Sequence, residues 1–221
     1  RTTLHCTAAR PLSRSATPVP PPLQVVYDGV YEVIKGGEEA GQRMYAEAIR
    51  RLEAEAAKGG GEAKAEQRPD AADPAALLAD AARAKPAFDV VVRAVSEAVG
   101  SQATLEAAVL GRRGKDGKEE TGLKKTARVV EKSALRPGDG RGMCERVCDV
   151  VRAMIVAAAM ATVAAVADAL VALIKAGVIE VVRIKNRFRQ PSAGGWRDLM
   201  ITFVVVGDEA RHVCEIQVVH E

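Results

Sequence analysis

Residues 179–207 read Ile179-Glu180-Val181-Val182-Arg183-Ile184-Lys185-Asn186-Arg187-Phe188-Arg189-Gln190-Pro191-Ser192-Ala193-Gly194-Gly195-Trp196-Arg197-Asp198-Leu199-Met200-Ile201-Thr202-Phe203-Val204-Val205-Val206-Gly207, and Arg211-His212-Val213-Cys214-Glu215-Ile216-Gln217-Val218-Val219-His220 follows. Three runs rich in β-branched residues are separated by a basic loop and a short turn. Five basic residues and no acidic one lie between Arg183 and Arg197, and the only tryptophan of the chain follows two glycines in that loop. On the last run, a two-residue period puts Val213, Glu215, Gln217 and Val219 on one face. A glutamate in a half-buried strand is costly without a partner. A divalent cation, or an arginine of the basic loop, would supply one.

Upstream, Cys148 to Val156 reads as a strand entered from a helical Met143–Val147, with Asp149 at its start. Thr162 to Lys175 reads as a helix ended by Gly177. The order is a βαβ unit followed by an antiparallel hairpin, so the first two strands are expected to be parallel or near neighbours. Residues 154–174 carry a single charge, Asp168, but nine of them are alanine. This segment is expected to be a strand and a buried helix, not a membrane span. Leu123 to Leu135 reads as a helix opened by Gly122. Lys124, Arg128 and Lys132 repeat every four residues, so they share a face. Either the face is solvated or it meets an anion.

The N-terminal half reads as a helical layer without a catalytic constellation. Helices are expected over 24–35, 38–58, 74–84 and from Pro86 to about Val99, with a short helical piece over 105–110. Residues 1–23 contain no acidic residue and four prolines from Pro18 onward. They are expected to be a disordered leader or the remnant of an organellar transit peptide. A start at arginine and an end on a strand suit a fragment. The expected setting is intracellular, cytoplasmic or organellar.

Composition narrows the classes. Apolar residues make up 48% of 221 residues and aromatics 3%, so the core is expected to be helical and built on Ala, Val and Leu. The net charge of +3 does not argue for nucleic acid. Residues 111–146 nevertheless hold eleven basic and six acidic side chains. One tryptophan and no aromatic platform weigh against RNA. Cys6, Cys144, Cys148 and Cys214 are too sparse for a disulfide scaffold. Three histidines leave a zinc site short of ligands.

Taken in order, Gly122-Leu123-Lys124, Arg128, Lys132, Asp149, Arg183-Ile184-Lys185-Asn186-Arg187-Phe188, Pro191, Gly195-Trp196-Arg197-Asp198-Leu199 and Glu215-Ile216-Gln217 form a set. The set resembles the synthetase domain of the RelA/SpoT family in a divergent form. The match covers about residues 110–221, and no single motif decides it. The resemblance implies an α+β fold, a nucleotidyltransferase-like mixed β-sheet flanked by helices. Residues 24–110 would be an α-helical N-terminal extension and residues 111–221 the nucleotidyltransferase domain. It implies Mg²⁺-dependent transfer of pyrophosphate from ATP to the ribose 3′-hydroxyl of GDP or GTP, which makes the alarmone ppGpp or pppGpp of the stringent response. Asp149 and Glu215 would then hold Mg²⁺, with Glu215 also a candidate proton acceptor. Lys124, Arg128, Lys132, Lys185 and Arg187 would form the basic face, Trp196 would stack the guanine, and Gln217 would support Glu215. The partners are ATP and guanine nucleotides; membranes and nucleic acid are not expected, and an oligomer is compatible.

Departures from the family pattern fall on Gly122, Met154, Asp198, Met200 and Val219. Two of these remove cations that would help grip a triphosphate. The alternative is therefore a catalytically inert nucleotide-binding or regulatory module of the same fold. No His-Asp dipeptide occurs, so the metal pair that alarmone hydrolysis needs in this family is not expected.

Overall fold

The computed structural model describes residues 22–60, 65–68, 73–100, 103–106, 123–135 and 144–221. The expected leader over residues 1–23 and the loop over residues 111–122 lie almost entirely outside them. The chain is α+β. A five-stranded mixed sheet carries helices against one face.

The strands are β1 (Ala103–Glu106), β2 (Arg152–Ala157), β3 (Ile179–Asn186), β4 (Leu199–Val205) and β5 (Val213–His220), in spatial order β1-β2-β5-β4-β3. β2 and β5 are parallel; the other three pairings are antiparallel. The last hairpin is antiparallel as its sequence predicts. β2 and β3 do run in the same direction, but β5 and β4 lie between them. The crossover helix thus spans two strands, a displacement that hydrophobic patterning does not encode.

The helices are α1 (Pro22–Gly37), α2 (Glu39–Lys58), α3 (Pro74–Val99), α4 (Thr126–Leu135) and α5 (Met160–Lys175). α2 and α5 pack together along their small residues. A Cβ on Gly41 would sit 3.0 Å from the Ala161 nitrogen and 3.3 Å from Met160 Cβ, so any side chain there would push α5 outward by a few tenths of an ångström. The N-terminus of α5 has no side-chain cap of its own. Glu38 serves instead: its Oε2 accepts from Met160 N at 2.6 Å while Oε1 lies 2.8 Å from His220 Nε2. One carboxylate therefore ties the α1–α2 junction to α5 and to the end of β5. Replacing it with alanine is expected to cost about 1 kcal/mol, within the usual range for a lost cap. Urea denaturation of Glu38→Ala measures this, and an unchanged midpoint would contradict the role.

α3 corrects the expectation of two helices broken at Pro86: it is one helix of 26 residues with Pro86 inside. Leu77, Ala81, Ala84, Phe88, Val91, Val92, Val95 and Val99 form one buried stripe on both sides of the proline. Their burial outweighs a loss of roughly 3 kcal/mol for an interior proline. Asp73 caps the helix through Ala75 N and Ala76 N, and Pro74 suits its first turn. Likewise Pro22 is the first residue of α1 and does not exclude a helix there. The expected helical piece over 105–110 is corrected at Leu105 and Glu106, and its residues 107–110 lie outside the described ones. Ala103–Glu106 form the edge strand β1, paired with β2 from Met154 to Ala157. α2, α3 and the sheet share a single hydrophobic core.

Candidate functional site

Alternation along the strands separates the two faces of the sheet. Cys214, Ile216 and Val218 of β5, and Leu199, Ile201, Phe203 and Val205 of β4, point into the helix-covered core. Glu215 and Gln217, with Met200 and Thr202, take the opposite face. Register lines up Arg152, Glu215, Thr202 and Arg183 in one row across it, and Met154, Gln217, Met200 and Lys185 in the next.

Arg183 and Lys185 reach this face because of a β-bulge. The register of β3 against β4 shifts between Val181 and Arg183. Val181 opposes Phe203 in the core, yet Arg183 opposes Thr202 on the open face. A regular strand would have kept Val181, Arg183 and Lys185 on one side. The extra residue reverses the alternation and delivers both cations to the same face as Glu215.

A cavity of about 230 Å³ lies there. It is lined by Lys132, Arg146, Cys148, Asp149, Arg183, Lys185, Arg187, Met200, Glu215 and Gln217. Five cations and two carboxylates give the wall a clear positive excess, which suits a polyphosphate.

Asp149 lies in the segment between a single 3-10 turn, Cys144–Arg146, and β2. The expected helix Leu123–Leu135 begins only at Thr126. Leu123 instead bridges to Val151, and Lys124 N donates to Val150 O at 2.9 Å. Lys124 is thus extended and does not share a helix face with Arg128. Its Nζ donates to Asp149 Oδ2 at 2.5 Å, and Lys132 Nζ donates to the same oxygen. Arg152 stands 3.8 Å from it. Burial pushes the Asp149 carboxyl up, but the two lysines more than offset this and hold it below the usual aspartate value. Burial also lowers the Lys124 ammonium, only partly opposed by Asp149.

Glu215 is the counterpart. Among the described residues its carboxylate takes no hydrogen bond and no ion pair, so the arginine partner expected from the loop is not realised. Burial first, then the nearby Asp149, pushes its carboxyl above the usual glutamate range, against Lys132, Arg152 and Lys124. Asp149 Oδ1 is also buried without a partner. Two carboxylates therefore face one cavity with unused oxygens. Hard divalent cations take oxygen donors, and Mg²⁺ commonly uses one or two carboxylates plus substrate phosphates and water. The donor set fits that pattern. No cluster of three or more His, Cys, Asp or Glu side chains occurs among the described residues, so a protein-only cage is not formed.

Of the nine expected site residues, Asp149, Glu215, Lys132, Lys185, Arg187 and Gln217 line the cavity, and Lys124 stands behind Asp149. Two do not take part. Arg128 is exposed and pairs with Glu131 at 2.5 Å. Trp196 is outside the lining; its Nε1 donates to Asp198 Oδ2 at 2.9 Å and its ring meets Tyr27 edge to face at 5.9 Å. α1 covers the basic loop here: Asp28 accepts from Arg197 at 2.9 Å, and the Arg197 guanidinium sits 4.1 Å over the Tyr31 ring. Sequence reasoning missed Arg146 and Arg183. Arg183 was legible as a cation, but its face depends on the bulge. Arg146 enters from the irregular turn, where no periodicity points.

Cys144, Cys148 and Cys214 are free and buried; Cys6 lies outside the described residues. Burial pushes the Cys148 thiol up to about 12, so it lines the cavity as an inert wall. No described helix is long and apolar enough to cross a membrane. No protein-family model, curated protein or solved structure matches this chain.

Proposed function

We propose that the chain is a Mg²⁺-dependent nucleotide pyrophosphokinase of the RelA/SpoT type, with a nucleotidyltransferase-like sheet. ATP is the donor, and the 3′-hydroxyl of GDP or GTP is the acceptor. The observation that carries this reading is the convergence of Asp149, Glu215, Lys132, Lys185, Arg187 and Gln217 on one cavity. These residues come from four separate parts of the chain, and cations surround two carboxylates with unused oxygens.

In the reaction, the acceptor 3′-oxygen forms a bond to the β-phosphorus of ATP. The bond from that phosphorus to the oxygen bridging the α-phosphate breaks, and AMP leaves. The hydroxyl proton goes to Glu215, whose raised carboxyl suits a proton acceptor. Lys132, Arg183, Lys185 and Arg187 bind the polyphosphate and offset its charge. Asp149 Oδ1 and Glu215 would hold Mg²⁺, which supplies further charge neutralisation on the phosphates.

The test uses ATP labelled on its γ-phosphate, Mg²⁺ and a panel of nucleoside acceptors. The expected result is Mg²⁺-dependent label on GDP or GTP, with AMP formed in equal amount. No label on any acceptor would contradict it. One observation favours the alternative, an inert nucleotide-binding module: Lys124 and Lys132 already neutralise Asp149 Oδ2. That reading predicts saturable guanine nucleotide binding, weakened in Arg187→Ala, with no AMP release.

A further inference from the structure

We infer that Asp198 is the positioning residue of this cavity and couples it to Trp196. The inference deepens the functional reading and rests on it for the identity of the ligand, a polyphosphate. Asp198 is fully buried although it bears a carboxylate. Three side chains donate to it. Arg187 Nη1 reaches its two oxygens at 3.1 and 3.0 Å, Trp196 Nε1 reaches Oδ2 at 2.9 Å, and Gln217 Nε2 donates to Oδ2 as well. The backbone adds a fourth tie, from Arg187 N to Asp198 O at 2.8 Å.

Two of these partners, Arg187 and Gln217, line the cavity, while Asp198 and Trp196 do not. Arg187 follows β3 and Gln217 lies on β5, with β4 between them. Asp198 stands just before β4 and so joins elements two strands apart. Its hold on Nη1 leaves the Nε and Nη2 protons of Arg187 for a ligand; Nη2 meets only the weak acceptor Met200 Sδ, at 3.7 Å. A flexible arginine is thereby fixed at the cavity wall, which removes much of the ordering cost of binding. An anion that draws on Arg187 must also shift the charge felt at Asp198, and hence at the indole bonded to the same carboxylate. The third donor gives a readout, because Trp196 is the only tryptophan of the chain.

Asp198→Asn separates positioning from simple charge cancellation, since the two predict opposite signs. The amide keeps an acceptor oxygen at the Oδ2 position but turns an NH₂ toward Arg187 Nη1 at the Oδ1 position, so the two-oxygen, charged hold on Arg187 is lost. If Asp198 positions, calorimetric titration with inorganic pyrophosphate at fixed ionic strength shows about tenfold weaker affinity in Asp198→Asn, or about 1.4 kcal/mol. If Asp198 merely cancels the charge of Arg187, removing it leaves affinity equal or tighter, and that result overturns the inference. The unmodified chain provides a second measurement that needs no folded variant. Saturating pyrophosphate is expected to change the emission of Trp196. Saturation by calorimetry with unchanged emission, or no pyrophosphate binding at all, would also overturn it. Failure of label transfer from ATP with both binding results intact would remove the enzymatic reading and leave Asp198 as the organiser of an anion site.

Discussion

Glu215→Gln is expected to lower label transfer by about 10²–10⁴-fold, the usual contribution of a positioned general base. The same substitution is expected to raise the melting temperature. Both effects have one cause. Glu215 is half-buried beside Asp149 without a hydrogen bond of its own, and its folded pKa is raised. A raised carboxyl contributes stability that is present below its unfolded pKa, about 4.3, and is lost as pH rises through the folded value. At neutral pH the ionised side chain is therefore a burden on the fold, and glutamine removes it. Thermal melts at pH 7 and pH 4 measure this: the variant gains at pH 7 and little at pH 4. Full activity with unchanged stability would show that Glu215 is a structural bystander.

Asp149→Asn acts in the opposite direction on stability. Asp149 is the anion shared by Lys124, Lys132 and, more distantly, Arg152. Lys124 keeps only 8% of its side-chain surface, and asparagine leaves its ammonium without a counter-charge. Removing one member of a buried pair costs roughly 3–5 kcal/mol; the lower end, about 3 kcal/mol, applies here because Lys132 is 29% exposed. The pH dependence follows the lowered pKa of Asp149. Its contribution is present above the unfolded value, about 3.9, and is lost as pH falls through the folded value. Asp149→Asn should therefore flatten the acid limb of the stability profile measured by urea denaturation. Transfer activity should fall with it. A profile parallel to that of the unmodified chain would mean that the lysines do not depend on Asp149.

Much of the sheet was legible in residues 179–220 because their apolar alternation has a period of two, and the core face of β5 follows directly from it. α2 and α5 were legible for the matching reason at period 3.6. The strand order was not, since nothing in β2 or β3 states that β5 and β4 separate them. Pro86 read as a break because local propensity was weighed without the buried stripe that overrides it. Residues 105–110 read as a helix because Leu and Ala favour one, while the pairing of β1 with β2 is a tertiary event. In the site, Asp149, Glu215, Lys132 and Gln217 were found from residue type and order. The placement of Arg183 and Lys185 turns on one extra residue in β3, which periodicity cannot show. Trp196 read as a ligand platform because it is the lone aromatic of a basic loop; its indole is instead bonded to Asp198 and abutted by Tyr27.

The central claim is that Asp149 and Glu215 hold a divalent cation on a nucleotide polyphosphate. A crystal grown with Mn²⁺ and the α,β-methylene analogue of ATP, which cannot release AMP, tests it most directly. The predicted result is an anomalous peak contacting both carboxylates and the analogue's phosphates, with Lys132, Lys185 and Arg187 around the chain of phosphates. A nucleotide bound elsewhere, or one bound in the cavity with no metal at the two carboxylates, would contradict it.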